Sequence, residues 1–265
     1  MLNGLFRMSS ARRSEINVKY ISESSAHDGL PYLDFFSTLN SALGPRSYFE
    51  IGTESGHSAA RYSCPSVCVD PRFVISADIV GSKRMLHLFQ MTSDEFFAAR
   101  YLDNLLPCGP DIAFLDGMHR FEYLLRDFIN TERVAHPRTL ILLHDCLPQN
   151  LRMTSRVPLA GPEEEGLSRF AWTGDVWKVI PILKKYRPEL RIWFLDCPPT
   201  GLVAISGLQR ESNVLNESYY QILEEFRDVD FSSDHRQQLW QYYPTLNSRA
   251  LAENAHDLTL YLDIR

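Results

Sequence analysis

The 265 residues carry 27 Lys and Arg against 33 Asp and Glu, a formal charge of −6 and a pI near 5.8. That balance argues against a sequence-independent nucleic-acid binder, which needs a basic face. No apolar run reaches the ~20 residues of a membrane span, and the start lacks a signal-peptide pattern, so a cytoplasmic protein is expected.

The 45% hydrophobic share is ample for the core of one large α/β domain with small appendages. Five scattered cysteines (Cys64, Cys68, Cys108, Cys146 and Cys197) read as reduced thiols, not a disulfide framework or a structural zinc site.

Residues 1–20 are polar and expected to be loosely held. Leu33, Phe36, Leu39 and Leu43 recur at helical spacing, and Gly44-Pro45 stops that helix. A first strand follows from about Ser47 to Ile51, a helix from Ser58 interrupted by Pro65, and a second strand over Val67–Val69. Met85–Met91 reads as a third strand. Thr92 to Glu95 supply an N-cap and first-turn acids for a helix carrying Phe96, Phe97, Tyr101 and Leu105.

Ile112–Leu115 is the fourth strand, Phe121–Val134 a helix, and Thr139–Asp145 a fifth strand of unbroken apolar character, as a doubly covered parallel strand requires. Residues 148–173 lapse into Pro, Gly, Glu and Arg and read as a lid loop. A helix resumes at Asp175 with Pro181 as an expected kink. Leu190–Leu195 and Leu202–Ile205 form a terminal antiparallel pair. Residues 208–265 hold helical stretches around Tyr219–Phe226 and Arg236–Tyr243. Three segments result: an N-terminal helical piece (1–46), a Rossmann-like α/β domain (47–207) and a C-terminal helical extension (208–265). The terminal helices are candidates for a homo-oligomer contact.

Around Glu50-Ile51-Gly52-Thr53-Glu54-Ser55-Gly56 an apolar strand stops at an acid and opens into Gly-x-x-x-Gly. Two glycines let backbone and ligand approach closely, and N–H groups of the expected helix start would face that ligand. Asp70 ends the second strand 20 residues after Glu50, where a βαβ nucleoside site holds ribose hydroxyls. Glu50, Asp70, Ser93, Asp116, His144 and Asp145 all fall at or just past predicted carboxyl ends, where open α/β sheets bind ligands.

If strands four and five are neighbours, Asp116 and Asp145 could share a hard cation through oxygen ligands. His119 could then act as base, and His144 either packs at a strand end or joins the site. Trp172 in the loop is a candidate for substrate contact. Arg152, Arg156 and Arg169 could meet an anion or simply be solvated.

Glu50–Gly56 resembles the first motif of class I S-adenosylmethionine-dependent methyltransferases, and Val69-Asp70-Pro71 resembles their second. Phe114–His119, Leu143–Pro148 and Gly174-Asp175-Val176-Trp177-Lys178 resemble patterns of a bacterial subgroup similar to the macrocin O-methyltransferase and cephalosporin-hydroxylase-like enzymes. The likeness spans about Tyr48 to Ser206. It implies a seven-stranded sheet with a reversed last strand, helices on both faces, and O-methylation of a small-molecule hydroxyl.

It also implies cofactor contacts by Glu50, Gly52, Thr53, Gly56, Ser58, Asp70, Pro71, Ser93, Asp94 and Asp116, Mg²⁺ on Asp116 and Asp145, and His119 as base. The chain departs at His144, where the metal-dependent members carry a second acid. A bulky natural-product or sugar acceptor would suit the long loop.

Two other readings stay open. An NAD-dependent oxidoreductase also ends its first βαβ unit in an acid, though Gly-x-Gly-x-x-Gly is absent. A protein of the same fold without turnover could serve as an assembly partner. A hydrolase elbow, Gly-x-Ser-x-Gly, is not present.

Overall fold

Short apolar runs closed by an acid or a glycine become the strands of a single sheet. The computed structural model describes residues 27–158, 172–232 and 245–264. The strands are β1 (Tyr48–Ile51), β2 (Ser66–Val69), β3 (Leu86–Phe89), β4 (Ile112–Leu115), β5 (Leu140–His144), β6 (Arg191–Leu195), β7 (Leu202–Ser206) and β8 (Thr245–Leu246). Helices α1 (Tyr32–Leu43), α2 (Ser93–Ala98), α3 (Tyr101–Leu105), α4 (Phe121–Glu132), α5 (Val179–Tyr186), α6 (Val214–Glu217), α7 (Tyr219–Phe226), α8 (Ser248–Glu253) and α9 (Leu258–Tyr261) surround it.

The strand order is β3-β2-β1-β4-β5-β7-β6-β8. β1 to β5 pair in parallel, and β7 runs antiparallel to both β5 and β6. This is the expected Rossmann-like sheet with a reversed seventh strand, enlarged by one. The eighth strand is two residues of the C-terminal segment that pair with β6. The chain leaves β1 toward β2 on one side and returns to β4 on the other, so the switch in strand order lies between β1 and β4.

Two cores form because side chains alternate across the strands. Phe49, Val67, Ala113, Leu115, Ile141 and Leu143 face α4, α5 and α7. Tyr48, Cys68, Ile112, Phe114, Leu140 and Leu142 face α1, α8 and α9. The described terminal pieces therefore belong to the cores of the sheet itself. Helix α1 buries Phe35, Phe36 and Leu39 and ends at Gly44, whose left-handed backbone (φ 53°) lets its N–H close on Asn40. Among the described residues all five cysteines are free, and only Cys108 is exposed.

Three expectations need correction. The helix after the glycine loop is a single 3-10 turn, Ala59–Arg61. Pro65 directly precedes β2 and leaves no room for more, so no full helix follows the glycine loop. The helix expected to run on from Ser93 splits into α2 and α3 at Arg100, which takes a left-handed φ of 54°. Pro181 lies in the first turn of α5, where a missing N–H does no harm. Residues 1–20, Arg236–Tyr243 and residues 159–171 of the lid loop lie outside the described residues. No described helix is long and apolar enough to cross a membrane.

Candidate active site

The strand register sets the site. Ile51 pairs with Val69 and Leu115, and Leu115 pairs with Leu143. The ladder continues past the ends: Gly52 N–H donates to Val69 (2.9 Å), Asp116 N–H to Ile51 (2.9 Å) and Asp70 N–H to Phe89 (3.1 Å). Gly52, Asp70, Asp116 and His144 thus stand in one row across four adjacent strands. That row crosses the switch point between β1 and β4, where ligands bind in open α/β sheets.

The two loop glycines have positive φ, 87° at Gly52 and 81° at Gly56. A Cβ on Gly52 would fall 1.9 Å from the Asp116 carbonyl oxygen, so the first loop and the β4 tip touch backbone to backbone. Asp70 fastens the same loop from the other side. Its carboxylate accepts from Glu54 N–H (2.8 Å) and from Arg72 N–H (2.7 Å) across the Pro71 turn. Two acceptor lone pairs remain on the carboxylate for a hydroxyl pair.

Glu50 is wholly buried beneath the loop and accepts from the Ser58 hydroxyl. Burial lifts its carboxyl to about 8; the Ser58 hydrogen bond opposes that shift and the Asp116 charge adds to it. Thr53 is buried beside it in the turn. Glu50 and Ser58 therefore organise the loop from below.

Ser93 and Asp94 open α2, capped by a reciprocal Thr92–Glu95 pair. Asp94 is half exposed and takes both arms of Arg126 from α4 (2.8 and 2.6 Å). Sequence reasoning missed the group behind Ser93. Asp127 on α4 is buried, and desolvation raises its carboxyl to about 7 against the Ser93 hydrogen bond. A carboxylate beside Leu124 and Phe128 on an otherwise apolar helix face was the available signal.

The polar centre lies at β4 and β5. His119 Nε2 is 3.1 Å from Asp145 Oδ2 and 3.7 Å from Asp116 Oδ1. His144 Nδ1 is 3.4 Å from each of those oxygens. Asp145 has a left-handed φ of 59°, which turns its carboxylate back beside the histidine that precedes it. Burial disfavours a charged His144, but the Asp145 and Asp116 carboxylates outweigh it and raise its pKa. The His144 imidazole opposes the desolvation of Asp145 and holds that carboxyl below its usual range.

Two neighbours complete the centre, and of these Tyr32 went unread in the sequence. Tyr32 of α1 lies over the His144 ring, 4.5 Å between centroids. Burial and the charges of Asp116, Asp145 and Glu50 raise its phenol. Gly174 meets the His119 backbone so closely that a Cβ would lie 1.9 Å from the His119 carbonyl oxygen.

The Mg²⁺ expectation can be tested on the donors. Asp116, His144 and Asp145 bring one ligand atom each within 4.8 Å of one another. One is an imidazole nitrogen, whereas Mg²⁺ takes near-octahedral oxygen sets; the three do not fit it. Arg156, read as either an anion contact or a solvated loop residue, is instead tied to Glu122 and Asp175.

No family model and no curated protein matches the chain. Similar solved structures include a methyltransferase of Podospora anserina bound to S-adenosylhomocysteine (15% identity, 77% of this chain and 97% of that one, TM-score 0.44). An O-methyltransferase of Bacillus cereus in complex with the same product is 15% identical over 69% of this chain and 83% of that one, with a TM-score of 0.45. The O-methyltransferase TomG of Streptomyces achromogenes, involved in tomaymycin synthesis, is 13% identical over 66% and 78%, with a TM-score of 0.48.

Proposed function

We propose that the chain is an S-adenosylmethionine-dependent methyltransferase acting on a hydroxyl oxygen of a small-molecule acceptor. The observation that carries the reading is the single row of Gly52, Asp70, Asp116 and His144 across the switch point, with His119 beside it. The Gly52–Gly56 loop and Asp70 would hold the methionine and ribose parts, and the Ser93 region the adenine. The reversed β7 also departs from the all-parallel order of a dinucleotide-binding sheet.

The cofactor supplies a methyl group on a sulfonium, already a good leaving group. The chain's own task is to align the acceptor oxygen and take its proton. His119 suits that task. Its Nδ1 faces the Trp172 carbonyl oxygen at 2.9 Å, and a carbonyl only accepts, so Nδ1 carries the hydrogen and Nε2 receives the incoming one. Asp145, 3.1 Å away, stabilises the imidazolium that results. Stacking on the Trp172 indole favours the same cation.

Calorimetry with S-adenosylmethionine and with NAD separates the cofactors. Incubation with phenolic and sugar hydroxyl acceptors should then yield S-adenosylhomocysteine. Binding of NAD without S-adenosylmethionine would overturn the reading.

A further inference from the structure

We propose that the hollow between the α2–α3 elbow, the end of α4 and the segment after β7 is a second ligand site. It would take a phosphate monoester carried on a ring or other apolar body. The proposal does not rest on methyl transfer, because none of the residues involved belongs to the row at the strand tips.

The hollow encloses about 480 Å³, within the ~300–1,000 Å³ of small-molecule sites. Helix α4 starts just past the tip of β4 and runs back along the sheet, so Arg133 at its end stands toward the amino ends of the parallel strands. Arg210 stands there too, because β7 runs antiparallel to β5, with Ile205 opposite Ile141. Both lie away from Gly52, Asp70 and Asp116.

Charge identifies the ligand. Arg100, Arg133 and Arg210 line the hollow, and Asp103 is the one acid among its lining residues. Three guanidinium charges less one carboxylate leave two positive charges, on a chain whose formal charge is −6. Like charges gathered in one hollow repel until an anion joins them. Most of their donors are also uncommitted. Arg100 Nε donates to Asp103 (2.8 Å), Arg133 Nη1 donates to the neutral Asn130 side chain (3.3 Å), and Arg210 meets no acid among the described residues. Guanidinium forks match phosphate oxygens in pairs, and a phosphate monoester carries nearly two negative charges at neutral pH.

The lining also provides for the body that bears the phosphate. The three arginines are exposed, whereas Leu102 is buried and Phe97 and Val134 are half-buried, so an apolar floor lies below a cationic rim. Arg100 carries a further mark. It takes a left-handed φ of 54° between α2 and α3, a conformation that glycine adopts without penalty. An arginine at that position bears the strain and keeps a guanidinium at the hollow.

The test uses the full chain and phenyl phosphate as probe, with inorganic phosphate and benzoate beside it, in calorimetry at low ionic strength. Phenyl phosphate should bind at least tenfold more tightly than either, and added salt should weaken it. Arg133→Ala/Arg210→Ala should lower its affinity at least tenfold, through the loss of charge-assisted hydrogen bonds. Arg100→Gly should also lower it while melting no lower than wild type, because the strained backbone is relieved. Saturating S-adenosylhomocysteine should leave the affinity unchanged.

Melting curves identify any variant that fails to fold, and the wild-type probe series decides independently of them. A wild-type chain that binds no phenyl phosphate overturns the proposal. Benzoate bound as tightly would mean that a single carboxylate charge suffices, and inorganic phosphate bound as tightly would remove the apolar floor; either overturns it. Displacement by S-adenosylhomocysteine would put the probe in the cofactor pocket, and affinity undiminished in Arg133→Ala/Arg210→Ala would put it elsewhere. Both equally overturn it.

Discussion

The His119 ring lies 4.8 Å from the Trp172 indole with 25° between their planes, and its Nδ1 is 2.9 Å from that residue's carbonyl oxygen. One residue just before the Gly174 turn thus fixes both the tilt and the tautomer of the proposed base. His119→Ala should lower kcat by about 10²–10⁴, the usual worth of a positioned base. Cofactor affinity by calorimetry should stay within a factor of about two. Parallel loss of both would mark His119 as structural.

Two buried acids make stability depend on pH in an unusual direction. Glu50 rises from 4.5 to about 8 and Asp127 from 3.8 to about 7, each mainly through desolvation. Between those limits the folded chain holds protons that the unfolded chain has released. Their contribution is therefore whole at low pH and is lost as pH rises through the folded values. Urea midpoints measured from pH 5 to 8 should decline across that window. The Glu50→Gln/Asp127→Asn pair should flatten the decline; an unchanged slope would mean that both carboxyls are ionised in the folded chain.

Much of this site could be read from the chain because a parallel strand buried on both faces has few ways to present a polar group. Glu50, Asp70, Asp116 and His144 were legible as polar residues at the ends of apolar runs, and register alone then aligns the last three. What was not legible depends on distant partners. β8 is two residues long and exists only because the edge of β6 is open to it. Tyr32 and Asp127 are ordinary members of helical patterns until packing sets them against His144 and Ser93. The helix expected after Ser58 failed for a local reason, since Pro65 stands directly before β2.

Gly52 should tolerate no side chain. Its φ is 87°, and a Cβ would lie 1.9 Å from the Asp116 carbonyl oxygen, a backbone atom with nowhere to go. The strained conformation alone costs about 1–3 kcal/mol. Gly52→Ala should therefore lose at least that much in chemical denaturation and weaken S-adenosylmethionine binding, whereas Gly44→Ala, with nothing within 4 Å of its Cβ, should cost only the φ penalty.

Asp70 has two duties, and graded substitutions separate them. Removal of a charged acceptor costs about 1.5–3 kcal/mol per hydrogen bond. Asp70→Ala should weaken S-adenosylmethionine binding tenfold or more and also lower the melting temperature, because Glu54 and Arg72 N–H groups lose their acceptor. Asp70→Asn keeps one carbonyl oxygen and should recover part of the stability while still binding cofactor weakly. Unchanged affinity in both variants would remove Asp70 from the ribose site.

Asp175 anchors the loop that carries Trp172, and its loss should be felt twice. Its carboxylate accepts from Phe121 N–H at the start of α4 (3.1 Å), lies 3.2 Å from the Lys178 ammonium, and pairs with Arg156. Asp175 and Lys178 are both almost fully buried. Breaking a buried pair by deleting one partner typically costs 3–5 kcal/mol, since the other charge is left without compensation. Asp175→Ala should approach that loss, while Asp175→Ala/Lys178→Met, which removes both charges, should regain much of it. Neither variant touches the row of Gly52, Asp70, Asp116 and His144. In the double variant kcat should still fall, because the Gly174 turn that meets the His119 backbone has lost its anchor. Restored stability accompanied by full turnover would show that this network holds the fold without positioning His119.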